Sequence, residues 1–396
     1  MTSFNVIAAG RVGEQEGRLL KDARDQHKIQ KEVPHDVPFP CNTTEILILG
    51  TRSSEIPDSV HRLRPGDIDV IAAMGDSLIA GAGIFGTNVL HTAIENRGVT
   101  GPGGGQGTWR QYLTLPNILK EFNPKLIGYS LGDSMTIHPA SQLNVAEIGA
   151  MSRDMPFMAK SLIDRIKRDS RIDFKKHWKL VTISIGANDF CSEMCFIRSP
   201  RSILESHKVD IVDTLRILRD NLPRTLVGLI PPPHLKELVA TRRGRKSLKC
   251  YITTTIECSC LFSIKYQNQK AEFYDIMRRW QNLEEEIVNY PEFHKEDFTV
   301  TILPVLKNTG IPLAMDGFSD VSYMSADCFH ISQKSNARFA NGLWNNLLEP
   351  MGNKSESWGP IFEKFLCPTS QKPYLITSVN SRELYEFKIQ SMFLII

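Results

Sequence analysis

The sequence feature that most constrains the fold is a series of short apolar runs, each separated from the next by a helical pattern. Four runs stand out, and they are Ile68–Met74, Lys179–Ile185, Thr225–Ile230 and Phe298–Leu303. Runs of this length that are rich in Val, Ile and Leu are typical of strands buried on both faces. Because helical patterns come between them, we expect a mostly parallel sheet with helices on both faces.

Apolar residues at helical spacing predict the intervening helices. These helices are Trp109–Phe122, Met155–Arg168, Ser202–Asn221, Lys265–Asn289 and Ser332–Leu348. Shorter strands are expected at Lys125–Ser130 and Glu45–Gly50, while residues 236–263 are the hardest part to place. We expect residues 1–40 to be a polar leader with little packed structure, residues 41–375 to form one domain, and residues 376–396 to be a C-terminal tail.

The first apolar run, Ile68–Met74, ends at the tripeptide Gly75-Asp76-Ser77, and a segment of small residues follows. A serine at a sharp strand-to-helix turn is held in a fixed position, and the next helix points backbone N–H groups towards it. Ser77 is therefore a candidate nucleophile, provided that the chain also supplies a base and donors for an oxyanion.

A candidate base lies near the C-terminal end, where Asp327 and His330 are three residues apart. At this spacing a carboxylate is able to hold the imidazole through Nδ1–H and leave Nε2 available as a base. The alternative is a helix-capping acid beside a surface histidine, which is the more frequent state of a single D-x-x-H sequence.

Candidate oxyanion donors follow the other predicted strands. Asn188 comes directly after Lys179–Ile185, and ligands of parallel sheets gather at the carboxyl ends of strands. Gly149 offers a backbone N–H as a second donor, although both residues are also ordinary turn residues. We interpret Asp154 and Asp189 as supporting residues that hold these two loops by hydrogen bonds.

Taken in chain order, the blocks G-D-S, N-x-x-x-x-G-A, G-A-N-D and D-x-x-H resemble the SGNH (GDSL) hydrolase superfamily. The longer phrases AAMGDSLIAG, TLPNILKEFNP, LNVAEIGAMSRDMP and SIGANDFC are similar to its phospholipase B branch, and the resemblance covers about residues 38–375. It implies a three-layer α/β/α sandwich with a flavodoxin-like sheet. It also implies that Ser77 is the nucleophile and a backbone oxyanion donor, with Gly149 and Asn188 as further donors, His330 as the base and Asp327 as its orienting acid.

The same resemblance implies a substrate and a location. The implied substrates are glycerophospholipids, lysophospholipids and related acyl esters at a membrane or micelle surface, with no metal or other cofactor. It implies a secreted or cell-surface monomer, whereas the N-terminus has no signal-peptide pattern and no run reaches the length of a membrane span. The alternatives are an SGNH esterase of other acyl esters and a non-catalytic lipid-binding relative.

Three further sequences compete for a functional interpretation. Gly132-Asp133-Ser134 is a second G-D-S, but no small-residue helix follows it. The G-x-G-x-x-G at Gly81–Gly86 lacks the acid expected about 20 residues on for a dinucleotide, so we interpret it as small residues that pack closely beside the nucleophile. Ile84, Phe85 and Leu90 are candidates for an acyl pocket or for simple core.

Composition excludes some classes of protein. A net charge of +3 argues against a dedicated nucleic-acid binder.

The eight cysteines are even in number, and their spacings do not match paired zinc knuckles, so disulfides are expected. Two N-x-[ST] sequons, at Asn42 and Asn353, agree with secretion and predict a glycoprotein. The basic segment Arg242–Lys249 is either a solvated loop or a site for anionic lipid headgroups.

Overall fold

A five-stranded sheet forms the centre of the protein, in the order β1-β2-β3-β5-β4. The strands are β1 (Ile68–Gly75), β2 (Trp178–Ser184), β3 (Thr225–Leu229), β4 (His294–Lys295) and β5 (Phe298–Ile302). The computed structural model describes residues 17–43, 52–239 and 247–382. The predicted strand Glu45–Gly50 and the greater part of the basic segment Arg242–Lys249 lie outside these ranges.

The four long strands are parallel, and their carboxyl ends meet at one edge. Gly75 pairs with Ser184, and Leu229 pairs with Ile302. The strand predicted at Lys125–Ser130 is reduced to single parallel bridges, one of which joins Ser130 to Gly104 and another Ile127 to Val70 of β1. The ladder ends there because Gly128 has φ +98° and lies against the Ile71 carbonyl. Counting this edge segment, the chain follows the flavodoxin-like order 2-1-3-4-5.

Helices cover both faces of the sheet. They include α1 (residues 17–25), α2 (Ser77–Ala80), α3 (Leu115–Phe122), α4 (Met155–Arg168), α5 (Ile203–Asn221), α6 (Leu248–Glu257), α7 (Ser259–Phe262), α8 (Lys270–Ile287) and α9 (Gln333–Leu348). Side chains alternate along β1, so that Ile71 packs towards α3 and α9 while Val70 packs towards α4 and α5. The expected mostly parallel, three-layer α/β/α arrangement is present.

Two predicted helices begin later than expected. The helix predicted from Trp109 begins at Leu115, because the Thr114 hydroxyl caps it by accepting from the Asn117 N–H at 3.1 Å and Pro116 fits the first turn. The helix predicted from Lys265 begins at Lys270, after a 3₁₀ segment, Ile264–Gln269. Residues 236–263, which carried no clear pattern, include α6 and α7.

Both ends of the described chain pack more closely than the sequence predicts. Ala23 is fully buried, and Gln30 joins two core segments, since its N–H donates to Gln333 Oε1 and its own Oε1 accepts from the Leu113 N–H, each at 2.7 Å. The start of the predicted tail is held by His61, whose Nδ1 lies 2.9 Å from Thr377 Oγ1. Residues 1–16 and 383–396 lie outside the described ranges.

Four disulfides pair all eight cysteines, so the prediction of disulfides is confirmed. The pairs are Cys41–Cys367, Cys191–Cys258, Cys195–Cys260 and Cys250–Cys328. The first pair ties residue 41 to residue 367 across the whole fold, whereas the other three hold the α6–α7 region against its neighbours. Within the described ranges, no helix combines the length and the apolar character needed to cross a membrane.

Candidate active site

Ser77 lies at the carboxyl end of β1, as the first residue of α2. The turn before it requires glycine, because Gly75 has φ +150° and a Cβ there would lie 2.1 Å from the Ser184 carbonyl oxygen. Asp76 then caps α2 by accepting from the Leu78 N–H at 3.0 Å. The strand, the glycine and the cap together hold Ser77 at the edge where the parallel strands end.

His330 and Asp327 meet Ser77 in one hydrogen-bonded chain. The Ser77 hydroxyl donates to His330 Nε2 at 2.7 Å, and His330 Nδ1–H donates to Asp327 Oδ2, also at 2.7 Å. Asp327 Oδ1 accepts from the backbone N–H groups of Phe329 and His330 at 2.8 and 2.9 Å. The carboxylate is therefore fixed by its own loop, and both imidazole nitrogens have partners.

The charges in this loop favour a protonated imidazole next to an ionised carboxylate. Burial opposes the charge on His330, but the Asp327 carboxylate, with the charges of Glu257 and Asp76, outweighs it and raises the pKa of His330. Burial also opposes the charge on Asp327, yet His330 and the N–H donors keep its pKa below the ordinary value. An imidazolium formed during a reaction is thus stabilised where it forms.

Glu257, on α6, is a third carboxyl group at this site, and the sequence did not point to it. The ligating atoms of Glu257, Asp327 and His330 all lie within 4.8 Å of one another. Burial, with the nearby charge of Asp327, raises the pKa of Glu257 to about 7. These three groups have the donor types of a metal site, but the two nitrogens of His330 are already bonded to Asp327 and Ser77.

The two candidate donor loops lie beside the end of β1. The Glu147 N–H donates to the Gly75 carbonyl at 3.1 Å, and Asn188 Nδ2 donates to the Ala150 carbonyl at 2.9 Å. Gly149, with φ +80° and an exposed backbone, lies between these two contacts. An amide nitrogen has two hydrogens, so Asn188 keeps one donor for a ligand.

The predicted supporting roles of Asp154 and Asp189 are confirmed. Asp189 accepts from the Ser152 N–H at 3.2 Å with both oxygens, and Asp154 accepts from the Met151 N–H at 2.8 Å. Burial raises the pKa of Asp189 to about 7. The loop that carries Gly149 is thus tied to the loop that carries Asn188.

A buried group of side chains lies behind these loops. Ser152 Oγ is 2.8 Å from His207 Nδ1, and the His207 ring stacks on Trp280 at 3.6 Å. Burial lowers the pKa of His207 to about 3, so this imidazole is neutral at pH 7, and burial raises the pKa of Glu284 well above its ordinary value. Trp280 also packs on Gly186, where a Cβ would lie 2.9 Å from the ring.

The competing sequences take other roles in the structure. The Ser134 hydroxyl donates to the Gly132 carbonyl at 3.2 Å, whereas Ser77 is the serine that contacts His330. The glycines after Ser77 allow close packing, as expected, because a Cβ on Gly83 would lie 2.7 Å from Ser325 Oγ.

The side chains considered for an acyl pocket do not form one. Ile84 and Phe85 are buried in a small core cluster, and Leu90 is 85% exposed. An apolar groove is lined instead by Leu78, which follows Ser77, and by Phe329 and Ile331, which flank His330 in the sequence. Its remaining apolar lining includes Leu235, Leu238, Leu306, Met324 and Trp358.

The SGNH class of hydrolases has this architecture, which is a three-layer α/β/α sandwich around a parallel sheet. Serine, histidine and aspartate are hydrogen-bonded to one another at the edge where the strands end. The chain belongs to the GDSL-like Lipase/Acylhydrolase family, whose model matches residues 71–343. The family match and the sheet confirm the predicted superfamily and fold.

Curated relatives agree with the predicted branch. The chain is 38% identical over 339 residues to "Phospholipase B1, membrane-associated" of Homo sapiens and 36% identical over 341 residues to the protein of that name in Mus musculus. Each match covers 84% of this chain and 22% of the relative, so the chain spans less than a quarter of those proteins.

Solved structures with a likeness to this chain include phospholipase A1 from Streptomyces albidoflavus NA297, with a TM-score of 0.32 and 13% identity over 68% of this chain and 95% of that chain. An extracellular lipase from Streptomyces rimosus has a TM-score of 0.30 and 11% identity, over 77% of this chain and 94% of that chain.

Proposed function

We propose that the protein is a serine esterase that hydrolyses acyl ester bonds of glycerophospholipids and lysophospholipids. The observation that carries this proposal is the hydrogen-bonded chain from Ser77 through His330 to Asp327, with both distances at 2.7 Å. A serine hydroxyl bonded to an imidazole whose other nitrogen is held by a carboxylate is the arrangement that activates serine as a nucleophile.

In the proposed mechanism, His330 Nε2 takes the proton of Ser77 while Ser77 Oγ attacks the ester carbonyl. The oxyanion accepts from the backbone N–H groups of Ser77 and Gly149 and from the side-chain amide of Asn188. His330 then protonates the leaving alcohol, and an acyl-serine remains. Water, deprotonated by His330, attacks this ester, so that the fatty acid leaves and the serine is restored. Asp327 keeps His330 in the correct tautomer throughout.

A lipid substrate is supported by the apolar groove beside Ser77 and by the names of the relatives. Leu78, Phe329 and Ile331 offer an apolar surface next to the reacting atoms, as a fatty acyl chain requires. We extend the proposal to a substrate held in a membrane or micelle, and to a secreted or cell-surface protein. Four disulfides support that location, since such bonds persist in oxidising compartments.

The test is Ser77→Ala, with Ser134→Ala as the matched control. We expect Ser77→Ala to abolish both labelling by a fluorophosphonate and hydrolysis of phosphatidylcholine and lysophosphatidylcholine, while Ser134→Ala keeps both activities. Loss of labelling in Ser134→Ala alone contradicts the choice of nucleophile. Labelling at Ser77 without hydrolysis of either lipid, but with hydrolysis of soluble esters, contradicts the substrate class.

A further inference from the structure

Helix α6 is amphipathic in the reverse sense, with its polar side against the protein and its apolar side towards solvent. Thr253 and Thr254 are buried on the inner side, together with the half-buried Glu257. On the outer side, Leu248, Tyr251, Ile252 and Ile256 are 74%, 47%, 49% and 74% exposed. Leu248, Ile252 and Ile256 are four residues apart and therefore form one stripe along the helix.

The inner side of α6 holds the loop that carries the candidate base. Cys250 is disulfide-bonded to Cys328, which lies between Asp327 and His330. The Thr253 hydroxyl donates to the Asp327 carbonyl at 2.5 Å. Because these contacts fix the orientation of α6, the helix is unable to rotate and bury its apolar stripe in the protein.

The charges beside the stripe indicate what it contacts. Lys249 is exposed next to it, and the sequence just before the helix contains Arg242, Arg243, Arg245 and Lys246. An apolar stripe next to the exposed Lys249, with four more basic residues just before the helix in the sequence, fits a layer of anionic lipid, in which acyl chains lie beneath negative headgroups. A second copy fits poorly, because the like charges would meet and a stable interface needs about 20–30 residues a side.

We propose that the outer face of α6, formed by Leu248, Tyr251, Ile252 and Ile256, docks into the surface of an anionic phospholipid layer. The disulfide and the Thr253 hydrogen bond then place Asp327 and His330 directly behind the docked helix. The proposal rests on the proposed function, because an esterase of membrane lipids has to reach its substrate at such a surface.

Vesicle binding is measured with the full chain carrying Ser77→Ala, so that no lipid is hydrolysed. Co-sedimentation uses vesicles of phosphatidylcholine with one fifth phosphatidylserine, and vesicles of phosphatidylcholine alone. We expect tighter binding to the anionic vesicles and a loss of about tenfold or more in Ile252→Gln/Ile256→Gln. Lys249→Gln is expected to cost about fivefold on the anionic vesicles only. Val209→Gln is the matched control, since Val209 is 66% exposed on α5, and it is expected to bind normally.

Several results would overturn the proposal. These are no binding to either vesicle, equal binding to both, or an equal loss in Val209→Gln and the double variant. A dimer in sedimentation that the double variant separates, with vesicle binding unchanged, would assign the face to a second copy. If the double variant has a lower Tm, Leu248→Gln, at the other end of the stripe, provides an independent test of vesicle binding. If the chain with Ser77 intact binds the vesicles normally but hydrolyses no phospholipid, only the proposed function is contradicted.

Discussion

Replacing Asn188 with Ala removes one of the three proposed oxyanion donors and leaves the nucleophile and the base in place. In the structure, Asn188 Nδ2 makes one hydrogen bond, to the Ala150 carbonyl at 2.9 Å, and its side chain is half-buried. The substitution therefore affects two separable quantities, which are the stabilisation of the transition state and the stability of the loop.

The two effects differ greatly in size. Loss of one oxyanion donor costs about 2.7–4 kcal/mol of transition-state stabilisation, which is on the order of 10²–10³ in kcat. Loss of the bond to Ala150 costs about 0.5–1.5 kcal/mol of folding free energy, and water is able to replace it at a half-buried position. Since folded domains are stable by about 5–15 kcal/mol, Asn188→Ala remains folded, and unfolding is unable to account for the loss in rate.

The assay measures kcat and KM on a soluble short-chain ester, with thermal unfolding on the same samples. Asn221→Ala is the matched control, because Asn221 Nδ2 also makes a 2.9 Å bond to a backbone carbonyl, that of Ile217, at the exposed end of α5. We expect a fall in kcat with little change in KM for Asn188→Ala, and normal kinetics for Asn221→Ala. A fall of less than tenfold in kcat, or a change confined to KM, refutes the assignment of Asn188 as a donor.

Two further predictions concern charged groups. His330 acts as a base only when it is neutral, so activity falls as the pH drops through the raised pKa of His330. Glu257→Gln removes one of the charges that raise this pKa, so we expect the acidic limb of the kcat/KM profile to move to lower pH. An unchanged limb would show that Glu257 does not act on His330. Arg97 is fully buried and pairs with Glu95 at 2.7 Å, so Arg97→Met is expected to lower the free energy of unfolding, measured in urea, by about 3–5 kcal/mol. The double variant Glu95→Gln/Arg97→Met is expected to lose less, because it leaves no carboxylate unpaired. Purely additive losses would contradict the pairing of Arg97 with Glu95.

Local patterns predicted the part of the site that depends on neighbouring residues. The turn at Ser77 follows from a buried strand and a glycine within ten residues, and the contact between Asp327 and His330 lies within one turn of chain. The parallel sheet then brings the ends of β1 and β2 together, and this explains why the loop of Asn188 lies next to that of Gly149. Strand order accounts for the position of the Asn188 loop, whereas the Gly149 loop lies beside β1 because the Glu147 N–H bonds to the Gly75 carbonyl.

Contacts between distant residues could not be predicted in this way. Glu257 lies near His330 because the Cys250–Cys328 bond and the Thr253 hydrogen bond hold α6 against the loop, and an even number of cysteines does not reveal which ones pair. The reverse polarity of α6 also weakens the usual signal, since a stripe such as Leu248, Ile252 and Ile256 normally predicts a helix face turned towards the core. The packing of Gln30 depends similarly on Gln333, which is about 300 residues away.

The loop from Ser325 to His330 has no regular structure of its own, and its geometry depends on three separate neighbours. Ser325 Oγ donates to the Gly83 carbonyl at 2.6 Å, the Asp327 carbonyl accepts from Thr253, and Cys328 is bonded to Cys250. The first contact comes from the segment after the nucleophile, and the other two come from α6. Ser77 is held by β1, whereas the loop of its base is held by α6 and by the Gly83 carbonyl, so the 2.7 Å contact between Ser77 and His330 joins two differently supported parts of the site.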